Sequence, residues 1–124
     1  MSTERRRVVV VGASNNPERY SNRAVRQLTT HGHDVVPVHP ALPAVEGIPV
    51  IARLDDVTGP VDTVTLYVSP EISDGLAPAL RRLHPGRVIF NPGTENANLR
   101  EVLHQEGIRT QEACTLVLLA TGQF

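Results

Sequence analysis

The chain has 124 residues, of which 40% are hydrophobic and 20% charged, proportions that are typical of one globular domain. Its formal net charge of −1 offers no basic field that would recruit nucleic acid or an anionic membrane. The single cysteine, Cys114, excludes an internal disulfide and a cysteine-based metal site and fits a reducing cytoplasm, and no apolar run is long enough for a signal peptide or a membrane span.

The first half of the chain predicts two strands separated by a helix. A strand is predicted at 7–11, because four consecutive valines at 8–11 form an uninterrupted β-branched run that is typical of a strand buried on both faces. A helix is predicted over 22–31, with Ser21 as its N-cap, and a second strand follows at 34–38. The proline- and glycine-rich segment after it has room for one short turn near 54–57.

The second half continues the alternation of strands and helices. Pro78 predicts a kink in the helix that contains it, or a start of that helix nearer Ser73. The apolar tail that begins at Cys114 either packs on the sheet or covers a dimer face. The predicted elements, in chain order, are a strand at 62–68, a helix at 71–84, a strand at 87–90, a helix at 97–106 and a strand at 108–112.

This alternation predicts an α/β fold, because short connections between alternating strands and helices give parallel strands joined by crossovers. We expect one domain over residues 1–124, a three-layer Rossmann-like doubly wound sheet of about five strands in the order 3-2-1-4-5. Ligands of such sheets bind beyond the carboxyl ends of the strands, where the strand order reverses. The first strand lies at that reversal, so a binding site is expected at Gly12.

The loop after the first strand differs from the two common nucleotide motifs. A dinucleotide fingerprint would place glycines at three positions where this chain has Gly12, Ser14 and Pro17. The second strand ends in Val38, His39 and Pro40, so it offers no carboxylate for the ribose of NAD. The chain also contains no lysine, which excludes a P-loop.

The same loop still has the composition of a phosphate site. Gly12 permits close approach of the backbone, Ser14 offers a hydroxyl donor, and the following helix points its positive end at the same place. Arg19 and Arg23 are candidates for a bidentate clamp on a pyrophosphate. The alternative is that both arginines are solvated and that the polar loop residues only shape the turn.

Four segments in order, "VVVVGASNNPERYSNRAVRQL", "VVPVHP", "YVSPE" and "NPGTEN…EGI…EACTLVLL", resemble the small stand-alone CoA-binding proteins. That family is similar to the CoA-binding domain of succinyl-CoA synthetase and of the NDP-forming acyl-CoA synthetases. The resemblance spans about residues 7–122 and implies a coenzyme A site across the strand ends. It places the pyrophosphate at Gly12, Ala13, Ser14 and Arg19, and the adenine or its ribose at His39 and Pro40. It places the entry of the pantetheine arm at Val68, Ser69 and Pro70, and the far wall of the site at Asn91, Pro92 and Gly93. Asn15, Pro17, Ser21 and Arg23 complete the predicted site within the same motif.

One position departs from the family pattern. Relatives often carry a basic residue just after the proline that ends the second strand, suited to the 3′-phosphate of CoA. This chain has Ala41 and Leu42 there. Arg53 and Arg23 are the two candidates for a replacement cation, and the sequence does not choose between them.

No catalytic constellation stands out in the sequence. His39 alone of the five histidines is predicted on the ligand rim, Glu95 is assigned a local role, and Cys114 is expected to be a small buried residue. The leading hypothesis is a non-catalytic CoA or acyl-CoA binding protein that acts as a carrier, sensor or regulatory subunit. The alternatives are a subunit of an acyl-CoA synthetase-like enzyme that needs a separate partner, and an NAD(H)-responsive regulator. A homodimer is also compatible with the sequence.

Overall fold

Five parallel strands form the central sheet in the computed structural model, which describes residues 4–124. A separate antiparallel hairpin follows the second strand. The strands are β1 (Arg7–Val11), β2 (Asp34–Val38), the hairpin strands β3 (Ala44–Val45) and β4 (Ile48–Pro49), then β5 (Thr63–Leu66), β6 (Arg87–Phe90) and β7 (Arg109–Glu112).

Helices cover both faces of this sheet, so the predicted three-layer α/β class is confirmed. A single 3-10 turn at Leu54–Asp56 matches the turn that the sequence predicted there. Within residues 4–124 no helix combines the length and the apolar character needed to cross a bilayer. The helices are α1 (Tyr20–Thr30), α2 (Pro70–Asp74), α3 (Ala77–Leu83), α4 (Ala97–Gln105) and α5 (Thr115–Ala120).

The predicted strand order was wrong in one respect. The sheet runs β2-β1-β5-β6-β7, so the third long strand pairs with β1 and not with β2. Pro37 explains why β2 is the edge strand, because proline has no N–H for a second ladder and is confined to sheet edges. The Pro37 carbonyl points outward and accepts from Ile51 N at 3.0 Å, which places its missing N–H on the same outer side. The strand order still reverses next to β1, which is where ligands of doubly wound sheets bind.

The valines of β1 alternate between two hydrophobic cores. Val8 and Val10 face the layer of α1 and α5, whereas Val9 and Val11 face the layer of α3 and α4. All four side chains are buried, which accounts for an apolar run without polar alternation. The strand is therefore held firmly from both sides up to the residue where the loop begins.

Several predicted helix features need correction. The first helix begins at Tyr20 with Arg19 as its N-cap, so Ser21 lies inside the helix and does not cap it. The predicted helix over 71–84 is divided into α2 and α3, because Gly75 caps the first piece and Pro78 occupies the first turn of the second. The apolar tail forms α5 and packs against α1.

Candidate functional site

The bend after β1 is shaped by backbone contacts to its two neighbouring strands. Gly12 has a φ of +85°, and the amides of Gly12 and Ala13 both donate to the Val38 carbonyl, at 3.1 and 3.2 Å. A Cβ on Gly12 would lie 2.7 Å from the carbonyl oxygen of Tyr67. The close approach that the sequence predicted at this glycine is therefore made to the chain's own backbone.

The backbone N–H groups that are free to bind a ligand follow directly after Ala13. Within residues 4–124 the backbone N–H groups of Ser14 and Asn15 donate to no protein acceptor. The Ser14 hydroxyl accepts from Asn16 N at 3.0 Å, which leaves its own proton free to be donated. The start of α1 adds further unpaired N–H groups, because the N-cap Arg19 makes no side-chain capping bond. The loop thus presents several donors suited to an anion.

Asn22 holds this loop in place, although it is not among the site residues predicted from the sequence. Its fully buried side-chain amide donates to the Ser14 carbonyl at 2.9 Å and to a Glu46 carboxylate oxygen at 3.1 Å. Arg26 completes the brace, donating to Asn22 Oδ1 at 2.9 Å and to the Pro17 carbonyl at 2.8 Å. Asparagine is a poor helix former, so its presence in a first helical turn was a usable signal of such a contact.

The bend opens into a cleft of about 1210 Å³ at the carboxyl ends of β1, β2 and β5. Its walls are the loop after β1, the turn after β2, the segment from Tyr67 to Leu76 and the loop after β6. Twelve of the sequence-predicted site residues line it: Gly12, Ala13, Ser14, Asn15, Arg19, Ser21, His39, Pro40, Val68, Ser69, Pro92 and Gly93.

Four predicted residues lie outside the cleft lining, namely Pro17, Arg23, Pro70 and Asn91. The guanidinium of Arg23 stacks over the Tyr20 ring, 5.5 Å from its centroid. Pro70 forms the first turn of α2, and the Pro17 carbonyl is occupied by Arg26.

The buried amide of Asn91 is fully engaged within the protein, which argues against the predicted wall role. Its nitrogen donates to Thr65 Oγ1 at 2.7 Å and to the Leu66 carbonyl at 2.9 Å. Its oxygen accepts from the Thr115 amide at 2.9 Å, so Asn91 acts as a remote cap for α5. Both N–H groups of the side chain are used within the protein, and the buried oxygen already accepts one bond.

His39 and Pro40 form the corner of the cleft after β2. His39 Nδ1 accepts from the amides of Ala41 and Leu42, at 3.0 and 3.2 Å. These two bonds place the ring proton on Nε2 and orient the ring with respect to the turn. His39 is therefore a positioned donor on the cleft rim.

Further cleft residues come from the segment after the β3–β4 hairpin, and they include Arg53, one of the two cations that the sequence left as candidates. Ile51 extends the outer edge of β2 through a parallel bridge to Val38. This bridge carries Arg53 and Asp55 into the cleft lining, where they form an ion pair of 2.6 Å. The described cleft lining thus includes one carboxylate, Asp55, although β2 itself ends without one.

Metal ligands and titratable side chains are few in the part of the cleft that the structure describes. Among residues 4–124 no three histidine, cysteine, aspartate or glutamate side chains are grouped so as to hold a metal ion. Burial raises the pKa of Tyr67 to about 12, so its hydroxyl stays protonated at neutral pH. Glu95 accepts from Gly93 N at 2.9 Å, a local bond as predicted, and Asn96 caps α4 through Leu99 N at 3.0 Å.

Known proteins resemble this chain along nearly its whole length. Residues 6–120 match a family model described as a CoA binding domain. The crystal structure of an uncharacterized protein superposes with a TM-score of 0.92 at 38% identity, covering 98% of this chain and 100% of that one. The uncharacterized protein YneT of Bacillus subtilis (strain 168) is 24% identical over 102 residues, which are 82% of this chain and 76% of YneT.

A third similarity is to part of a much larger enzyme. The dinucleotide-forming acetyl-coenzyme A synthetase 1 of Ca. Korarchaeum cryptofilum, solved in complex with phosphate and ADP, superposes with a TM-score of 0.74 at 21% identity. The match covers 86% of this chain and 25% of that enzyme. At this identity the likeness shows a shared fold. Together with the family match it confirms the resemblance predicted from the sequence.

Proposed function

The chain belongs to the CoA-binding domain family, and from that premise we propose that it binds coenzyme A or an acyl-CoA in the cleft beyond β1. The pyrophosphate would lie against the open amides and hydroxyl of Ser14 and Asn15, with Arg19 as its cation. The observation that carries the proposal is this set of unused donors on a braced loop at the point where the strand order reverses.

The remainder of the cleft suits the rest of such a ligand. Val68, Ile72 and Leu76 give one wall an apolar character, and Ile72 is 58% exposed although isoleucine is among the residue types most often buried. A pantetheine arm has methyl and methylene groups that would cover this wall. His39 and Pro40 would then lie beside the adenosine, as the family resemblance implies.

We further propose that the protein binds without catalysing a reaction of its own, as a carrier, sensor or regulatory subunit in the cytoplasm. The ionisable groups of the described cleft are two tyrosines, His39, Arg19 and the Arg53–Asp55 pair, and none of them forms a nucleophile–base pair. The similarity to one quarter of an acetyl-coenzyme A synthetase favours a second role, as a subunit that needs a separately encoded partner. Copurification of a nucleotide-binding partner would support that second role.

The test is isothermal calorimetry with CoA and NAD on the wild type and on Arg19→Gln. We expect saturable CoA binding, no measurable NAD binding, and a loss of roughly 10- to 100-fold in CoA affinity in Arg19→Gln, because a charge-assisted contact is removed. Arg100→Gln is the matched control, since Arg100 is half exposed on α4 and pairs with Glu112 at 3.8 Å. Absence of CoA binding to the folded wild type would refute the proposal, and preferential NAD binding would favour the regulator hypothesis.

A further inference from the structure

Two guanidinium groups line the described part of the cleft, and the loop after β1 accounts for only one of them, Arg19. The other, Arg53, stands beyond the end of β2. Ile51 pairs in parallel with Val38, and His39 N donates to the Ile51 carbonyl at 3.2 Å. Arg53 continues this extended segment with φ −138° and ψ 143°. This pairing brings Arg53 to the cleft end of β2, where Ala41 and Leu42 follow Pro40 in place of a basic residue.

Arg53 is held by one partner that a ligand can replace. Its Nη2 lies 2.6 Å from Asp55 Oδ2, and the two side chains are 70% and 48% exposed. Exposed ion pairs of this kind contribute little to stability and are screened by salt. The backbone beneath them is fixed separately, because Arg82 donates to the Asp55 carbonyl at 2.8 Å. The Arg53 side chain can thus leave Asp55 without loosening the turn.

We propose that Arg53 binds the 3′-phosphate of CoA and that Asp55 competes with this phosphate for the guanidinium. The inference rests on the proposed function, because it assigns a residue to a group of that same ligand. A phosphate carries more negative charge than a carboxylate and accepts the planar guanidinium fork in bidentate fashion. With Arg19 placed at the pyrophosphate loop, Arg53 is the cleft cation that remains for the third phosphate.

The experiment compares CoA with 3′-dephospho-CoA by calorimetry on four proteins: the wild type, Arg53→Gln, Asp55→Asn and the control Arg81→Gln. Arg81 is a matched control, being an exposed arginine that pairs with Glu106 at 3.7 Å, outside the cleft lining. We expect the wild type and the control to bind CoA about tenfold more tightly than dephospho-CoA, equivalent to about 1.4 kcal/mol. Arg53→Gln should lose this preference while its dephospho-CoA affinity is unchanged.

Asp55→Asn tests the competition directly. Removing the competing carboxylate should strengthen CoA binding about threefold and leave dephospho-CoA binding unchanged, since an exposed pair of this kind is weak. Equal affinity of the wild type for both ligands would overturn the inference and leave the proposed function intact. A parallel loss for both ligands in Arg53→Gln, or weaker CoA binding in Asp55→Asn, would also overturn it. Failure of the wild type to bind either ligand would instead refute the proposed function.

Discussion

Replacing Asn91 by alanine separates a structural role from the ligand role that the family resemblance implied. The side chain is 2% exposed and makes three hydrogen bonds, to Thr65 Oγ1, the Leu66 carbonyl and the Thr115 amide. After the substitution the Thr115 N–H has no acceptor, because it lies at the first position of α5, where the helix itself supplies none. Thr65 Oγ1 keeps its bond of 2.8 Å to Thr115 Oγ1.

The expected magnitude follows from these contacts. One buried donor left unpaired costs about 1–3 kcal/mol, and the lost bond to the Leu66 carbonyl contributes about 1 kcal/mol, whereas Thr65 Oγ1 retains a partner and adds little. We therefore expect Asn91→Ala to lower the free energy of unfolding by about 2–4 kcal/mol, a large part of the about 5–15 kcal/mol typical of a domain. The folded fraction should bind CoA with unchanged affinity.

The assay is urea unfolding followed by far-UV circular dichroism, because the chain contains no tryptophan. Asn98→Ala, at an exposed position of α4, is the control and should change the unfolding free energy by less than about 0.5 kcal/mol. A loss below about 1 kcal/mol in Asn91→Ala would refute the capping role derived from the structure. Weaker CoA binding at unchanged stability would restore the predicted wall role.

Three further predictions concern other positions. Gly12→Ala should lower the free energy of unfolding by more than Gly93→Ala does. Both glycines have φ near +90°, but only a Cβ at position 12 would meet a backbone atom, Tyr67 O at 2.7 Å. Equal losses of unfolding free energy in urea titrations would contradict this. Burial and the Arg6 charge lower the pKa of His33 in the folded protein below its value of 6.5 when unfolded. The free energy of unfolding should therefore decrease as the pH drops below about 6.5, because the unfolded chain then binds the proton more tightly. Urea titrations of His33→Gln should show a smaller decrease over the same pH range. Cys114→Ser should leave CoA affinity unchanged in calorimetry, because Cys114 is half-buried and lies outside the cleft lining. For the same reason, mass spectrometry of the wild type after exposure to CoA disulfide should find the thiol unmodified. A mixed disulfide would contradict this.

The elements of the sheet were predictable because each has a local pattern. The structure recovers three of them within a few residues: the strand at 7–11 with its four valines, the strand at 34–38 and the helix stopped near Gly107. Pro78 signalled the break within the predicted helix over 71–84. No local pattern signalled that Ile72 is exposed. The order of the strands was mispredicted even though Pro37 carried the information, because a proline within a strand places that strand at the edge of the sheet.

The candidate site was predicted where its residues are consecutive and left undecided or missed where they converge from a distance. The run from Gly12 to Ser21 follows one strand, so its place at the sheet edge follows from the strand's own end. Arg53 and Asp55 enter the cleft only because Ile51 pairs with Val38, thirteen positions earlier in the chain. The strand order reverses beside β1 in both the predicted and the observed sheet. The predicted location of the site therefore did not depend on the misplaced strand.

By itself, the sequence determined the alternation of strands and helices, the glycine bend at the end of a doubly buried strand, and the family to which the motifs belong. These features depend on side-chain periodicity and backbone stereochemistry over a few neighbouring residues. Only the tertiary structure decided which strand lies beside β1, that Asn22 braces the loop, that Asn91 faces inward, and which arginine reaches the cleft. Each of these depends on hydrogen bonds between segments distant in the chain, and their partners are set by how the layers pack rather than by any local preference.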